Sequence, residues 1–139
     1  MWKKTYETIT EVPREKLFKT LINFNNWPKW DDAIEYTRAK ESLNVGDYFL
    51  LKPKGAPCSF KIWILELKPN ERCVDLCRLV LAKMRTTHEF LEEQNGTKIR
   101  ITVEIFGPFN FLWRKILGEK QIQDAPKQTE AFIRFARKN

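Results

Sequence analysis

The chain has 139 residues, 42% of them hydrophobic, and carries 25 Lys and Arg against 18 Asp and Glu for a net charge of +7. That length gives one domain able to bury roughly two-thirds of its unfolded surface in a single core. No run approaches the ~20 apolar residues of a membrane span, and the first ten residues lack the apolar core of a signal peptide, so the expected location is the cytoplasm.

Five Trp, three Tyr and ten Phe make the chain rich in aromatics. The basic residues are scattered, with small concentrations at Lys52–Lys54, Arg114–Lys120 and Arg134–Lys138. Such a balance attracts anions over long range. None of these stretches interleaves aromatics in the manner of a nucleic-acid module, so nucleic acid is not an expected partner. Cys58, Cys73 and Cys77 form no CxxC pair. Cys73 and Cys77 on one strand stand about 13 Å apart, too far for a disulfide, and read as reduced buried thiols.

In chain order, Trp2–Thr10 alternates as a first strand. Pro13 suits a first helical turn, and Leu17, Phe18, Leu21 and Ile22 then form one helix face. The connector FNNWPKWDD follows, where Trp27 and Trp30 share one side of a short turn and need the core or the rim of a cavity to rest on. Asp31, Asp32 and Glu35 just beyond read as solvated surface, with no further ligand for a metal nearby.

Ala33–Ala39, Tyr48–Lys52, Ser59–Lys68, Arg72–Leu81, Met84–Glu93 and Thr97–Phe106 then read as strands. A turn at Asn95-Gly96 joins the last two. Ile99, Ile101, Val103 and Ile105 alternate with polar residues and face the core. A two-residue turn puts His88 opposite Val103 and Phe90 opposite Ile101, so both point inward.

A turn at Ala82-Lys83 would place Cys77 and Asp75 on the same wall as His88. The opposite parity buries Trp63 and sends Asp75 and Cys77 to solvent, and it is the adopted reading. His88, the one histidine, is then a hydrogen-bonded wall residue or, on the sharper reading, a general acid/base.

The last quarter carries two apolar stripes. Phe109, Leu112, Trp113, Ile116 and Leu117 form the first; Ile122, Ala125, Thr129, Phe132, Ile133 and Ala136 form the second, nearly opposite it at 100° per residue. One straight helix cannot bury both. The expectation is two pieces jointed near Gly118, with a further joint before Pro126. The later piece is the core helix and the earlier one a movable cover.

Val12-Pro13, Trp27-Pro28-Lys29-Trp30-Asp31, Val45-Gly46-Asp47, His88-Glu89-Phe90, Asn95-Gly96-Thr97 and Glu104-Ile105-Phe106-Gly107-Pro108 together resemble the polyketide cyclase/dehydratase branch of the START-like superfamily. This superfamily is also called SRPBCC, helix-grip or birch-pollen-allergen-like. The sequence departs from the H-x-F…G-T…E-x-F-x-G pattern by one residue fewer between Phe106 and Gly107.

The resemblance implies an α+β helix-grip domain over residues 1–139. It has a seven-stranded curved antiparallel sheet around a long, kinked C-terminal helix, with two short helices after the first strand. It also implies a cavity for a small hydrophobic or aromatic molecule, without a cofactor. Expected aromatic walls are Trp27, Trp30, Phe49, Trp63, Phe90, Trp113 and Phe132. Ile101 and Val103 add strand contacts, and His88 is the polar anchor. The alternatives are a cofactor-independent cyclase or dehydratase using His88 as acid/base, with Asp75 or Tyr48 as its partner, and a cochaperone-like interaction module whose basic terminal helix docks on an acidic partner. Ligand identity and oligomeric state stay open at this stage.

Overall fold

The computed structural model describes residues 1–139. The first strand, β1 (Trp2–Thr10), leads to helix α1 (Arg14–Ile22), a single 3₁₀ turn (Phe24–Asn26) and the four-residue helix α2 (Trp27–Trp30). Six strands follow: β2 (Ile34–Arg38), β3 (Tyr48–Pro53), β4 (Phe60–Lys68), β5 (Arg72–Leu79), β6 (Ala82–Glu93) and β7 (Gly96–Phe106). They form one seven-stranded antiparallel sheet in the order β1-β7-β6-β5-β4-β3-β2. The first two strands therefore occupy opposite edges, and α1 and α2 span the gap between them. The chain ends in α3 (Asn110–Trp113), a π-helical stretch (Arg114–Gly118) and α4 (Glu119–Lys138). This is the helix-grip architecture, with an open curved sheet around a 29-residue terminal helix.

The inner sheet face follows from alternation. Phe90, Ile99, Val103 and Ile105 are nearly inaccessible, and Ile62, Ile64, Cys73 and Cys77 continue the surface across β4 and β5. Leu17, Phe18 and Leu21 of α1 and Phe132 and Ala136 of α4 close over it. The end of α4 is tied to the start of α1, because Lys16 Nζ donates to the Arg137 carbonyl and Arg137 pairs with Glu11.

The β6–β7 hairpin turns one residue earlier than expected, which slips the pairing by two, and the β5–β6 hairpin turns two residues before Ala82-Lys83. Glu93 pairs with Gly96, so the β6–β7 turn is Gln94-Asn95; His88 faces Ile101 and Phe90 faces Ile99. Gly96 belongs to the strand because a β-carbon there would lie 2.1 Å from the Thr10 carbonyl oxygen. A two-residue shift leaves the faces unchanged, so His88 and Phe90 point inward.

The β5–β6 turn is Val80-Leu81, which pairs Cys73 with His88, Asp75 with Thr86 and Cys77 with Met84. This overturns the adopted parity. Asp75 and Cys77 are buried, and Trp63 lies on the outer face. Trp63 is not bare there, since Tyr48 packs 4.9 Å from its ring and the Arg78 guanidinium sits 5.8 Å above it. An aromatic pair with a cation over it makes a large outward ring tolerable.

The terminal helix is also corrected. Gly118 has helical dihedrals (φ −59, ψ −50), and Pro126 sits inside α4. The chain changes phase through the π-helical stretch instead of breaking, since such a stretch inserts residues into the i→i−4 ladder. The earlier stripe is only partly used. Trp113 and Leu117 pack against the core, while Phe109, Leu112 and Ile116 are exposed.

Gly118 itself is a packing requirement, because a β-carbon there would lie 2.5 Å from the Trp2 ring and 2.9 Å from Ile105 Cδ1. Overpacking of this kind costs about 1–3 kcal/mol, and valine recovers little helix propensity over glycine. Gly118→Val is therefore expected to lower stability by about 2 kcal/mol in urea unfolding. An unchanged midpoint would show that Trp2 yields freely.

Candidate functional site

Between the inner sheet face, α2 and α4 lies a cavity of about 200 Å³, lined by 25 residues of which 17 are hydrophobic. The wall is apolar enough to favour a hydrophobic occupant, yet several of its polar atoms have no partner. α2 sets the aromatic side. Trp27 is buried and its indole N–H donates to the Leu21 carbonyl at 2.8 Å. Trp30, one turn later and 5.7 Å from the Trp27 ring, faces α4 and packs 5.0 Å from Phe132. Its own Nε1 is buried without a hydrogen-bond partner.

The sheet supplies His88 from β6 and Asp75 from β5. His88 Nδ1 is buried and unpartnered, and Trp27 lies 6.3 Å from the imidazole. Burial drives the imidazole pKa down to about 4, so the ring is uncharged at neutral pH. Burial acts oppositely on the Asp75 carboxyl, which rises to about 7. From α4 comes Thr129, whose Oγ1 is likewise buried without a partner.

Asp31 also lines the cavity. Its carboxylate accepts from the Ala33 backbone N–H at 3.0 Å, and its pKa is raised by burial and then by the nearby Asp32 and Asp124. Asp31 is thus not part of a solvated cluster, although Asp32 and Glu35 are surface residues paired with Lys127 and Lys52. Buried polar groups are rarely left unpaired, since each unsatisfied one costs about 1–3 kcal/mol. Three such atoms belong to residues that line one apolar space.

Seven of the ten expected wall residues meet here: Trp27, Trp30, His88, Phe90, Ile101, Val103 and Phe132. Three do not. Phe49 lies behind the wall, stacked 4.5 Å from Phe24. Trp63 is on the outer face, and Trp113 packs at the end of the sheet with its indole N–H donating to the Val80 carbonyl. Sequence reasoning placed neither Asp31 nor Thr129 in the site, and the adopted parity sent Asp75, weighed beside His88, to solvent. Thr129 carried a signal as the one polar member of the second helical stripe. Asp75 carried one only through the location of the β5–β6 turn. The Cys73 and Cys77 thiols are not nucleophiles at neutral pH, because burial pushes Cys77 up to about 12 and Cys73 higher still.

A family model described as Activator of Hsp90 ATPase homolog 1-like protein matches residues 11–127, from the end of β1 into α4. The chain belongs to this family. The Activator of Hsp90 ATPase homolog 1-like proteins fall within the START-like, or SRPBCC, superfamily to which the sequence motifs point, a superfamily known for ligand binding.

Solved structures agree on the fold. Protein MLL2253 from Mesorhizobium loti superposes with a TM-score of 0.78 at 18% identity, over 99% of this chain and 98% of that one. A START superfamily protein from Mycobacterium smegmatis gives 0.70 at 14% identity, over 92% and 94%. The di-domain ARO/CYC StfQ from the steffimycin biosynthetic pathway gives 0.79 at 11% identity; 98% of this chain covers 50% of StfQ. No curated protein matches the chain in sequence. The family match ends at residue 127, so it takes in Gln121 and Ala125 of α4 but stops short of Gln128, Thr129 and Phe132, which also line the cavity.

Proposed function

We infer that the protein binds a small, mainly apolar aromatic molecule of one or two rings carrying a single hydrogen-bonding oxygen. The observation that carries this reading is the set of unpartnered Trp30 Nε1, His88 Nδ1 and Thr129 Oγ1 around a 200 Å³ apolar space. For scale, an apolar cavity on the order of 150 Å³ accommodates benzene. An indole N–H can only donate, so it needs an acceptor from the ligand, and the threonine hydroxyl can supply either role. Neutral His88 and an Asp75 that protonates near pH 7 disfavour a ligand with formal positive or strong negative charge.

The test is titration with 2-naphthol followed by indole fluorescence, with native mass spectrometry of the purified protein. The expected result is saturable one-to-one binding that weakens about tenfold in Thr129→Val, the cost of one hydrogen bond of roughly 1.4 kcal/mol. Absence of a bound species by both methods would remove this reading.

A second reading has one specific support. A carboxyl group with a pKa of about 7 inside an apolar cavity is suited to proton transfer at neutral pH. If the protein is a cyclase or dehydratase, Asp75 is the better acid/base than His88, whose pKa near 4 makes it a weak base. Turnover of an identified substrate would then follow a titration near 7 and be lost in Asp75→Asn while surviving in His88→Gln.

A further inference from the structure

At one end of the molecule, two segments remote in sequence meet and expose apolar side chains together. Val80 and Leu81 form the tip of the β5–β6 hairpin and are 68% and 57% exposed. Phe109, Phe111, Leu112 and Ile116, at the start of the terminal helix, are 37%, 57%, 42% and 50% exposed. Hydrogen bonds join the segments into one surface: the Phe109 backbone N–H donates to the Leu81 carbonyl at 3.2 Å, and the Trp113 indole donates to the Val80 carbonyl at 2.8 Å. Scattered apolar residues on a surface need no explanation, but six exposed ones on two segments tied together at one end of the fold do.

Two features of this end run against fold stability. Leu81 holds a left-handed backbone (φ +52), where glycine or asparagine is far easier to place than a bulky side chain. Arg78 and Lys83 are direct cross-strand partners beside the tip, a like-charge pairing that destabilises a hairpin.

The surrounding charge has one sign. Residues 78–85 and 107–120 contain six cations, Arg78, Lys83, Arg85, Arg114, Lys115 and Lys120, and one acid, Glu119. Of the six, only Arg85 has an ion-pair partner, Glu104.

We propose that this end of the protein docks on anionic lipid surfaces, with Val80, Leu81, Phe111 and neighbouring side chains entering the interface and the unpaired cations meeting lipid phosphates. Apolar residues at projecting tips with basic residues around them combine the two attractions that hold peripheral proteins on membranes. A second copy of this chain is the poorer occupant, since it would bring the same excess of cations against the first. The site is independent of what fills the cavity, although the π-helical stretch contributes Ile116 to the patch and Leu117 to the cavity wall.

The experiment is co-sedimentation of the full chain with vesicles of phosphatidylcholine alone, and of phosphatidylcholine mixed with an equal amount of phosphatidylglycerol. Binding to the mixed vesicles is expected, falling with added salt and about fivefold for each cation removed in Lys83→Gln or Lys115→Gln. Leu81→Asn combined with Phe111→Ser should abolish it. Leu81→Asn alone should keep or raise the unfolding temperature, because asparagine tolerates the left-handed backbone, and the double variant should stay folded at the assay temperature, because Phe111 is 57% exposed; its unfolding curve separates lost binding from unfolding. Three results would overturn the proposal. The first is no sedimentation with anionic vesicles. The second is binding that follows charge but ignores Leu81 and Phe111, which would indicate an acidic protein instead. The third is a concentration-dependent dimer dissolved by the double substitution, which would assign the patch to a second copy of the chain.

Discussion

Asp75→Asn and His88→Gln are expected to tilt the dependence of stability on pH in opposite directions. The Asp75 carboxyl has a pKa of about 7 in the folded protein against 3.8 for an ordinary aspartate. Between those values the folded state holds a proton that the unfolded state has released. Stability from this group is therefore fully present below about pH 4 and lost as pH rises through 7. His88 runs the other way, with about 4 folded against 6.5 for an ordinary histidine. Its stability is present above pH 6.5 and lost as pH falls toward 4, because the unfolded state takes up a proton that the buried ring refuses.

At about 1.4 kcal/mol per pH unit, the two intervals bound the effects at roughly 4 and 3 kcal/mol. In the wild-type protein they largely cancel between pH 4 and 6.5. Each substitution exposes the other group. Asp75→Asn should leave a protein that gains stability from pH 4 to 6.5 and exceeds wild type by about 2–4 kcal/mol at pH 8. His88→Gln should leave one that loses stability from pH 4 to 7. Urea midpoints at intervals from pH 4 to 8 decide this, and profiles parallel to wild type in both variants would sink it. Asp31 is unchanged in both, so its own raised pKa cancels in the difference.

This balance could not be read from the sequence, because it depends on one turn. Inward parity on β6 was legible: Ile99, Val103 and Ile105 alternate cleanly, and moving the turn by one residue slips the pairing by two and preserves faces. On β5 the alternation pits Val74 and Leu76 against Cys73, Asp75 and Cys77, with Trp63 across the ladder. Hydrophobicity alone then votes to bury the wrong set. The structure decides otherwise because Tyr48 and Arg78 cover Trp63 outside, while the inner positions of β4 are already filled by Ile62 and Ile64.

The fold class was legible because long-range order comes from strand count, turns and one long amphipathic helix. The continuity of that helix was not. Counting phase at 100° per residue assumes regular α geometry, and the Arg114–Gly118 stretch changes the count without breaking the chain. It also hid the fate of the first stripe. Periodicity marks apolar residues that share a face, but it does not say that anything covers them, and here Leu112 and Ile116 remain in solvent.

Truncating Phe132 should separate a cavity wall from a solid core. Phe132 is 4% exposed, 5.0 Å from the Trp30 ring and 6.5 Å from Phe90, and it borders the cavity. Phe49 is 1% exposed, stacked on Phe24 and outside the cavity lining. Phe→Ala in a core costs about 3–5 kcal/mol, part of it as ~24 cal/mol per Å³ of space left empty. The Phe132 ring already forfeits some contacts on the side that faces the cavity, so Phe132→Ala should fall near 3 kcal/mol and Phe49→Ala nearer 5. The sharper difference lies in rescue. Removing Phe132 extends a space that already has room for a ligand, so saturating indole should raise the unfolding temperature of Phe132→Ala by more than that of wild type. In Phe49→Ala the void is walled off behind Trp27, and indole should give no gain beyond the wild-type shift. Ligand that binds only the native state stabilises it by RT ln(1 + [L]/Kd), so the size of the rescue reports affinity for the enlarged space directly. Equal losses and equal rescue in the two variants would mean that Phe132 belongs to a filled core and borders no ligand space.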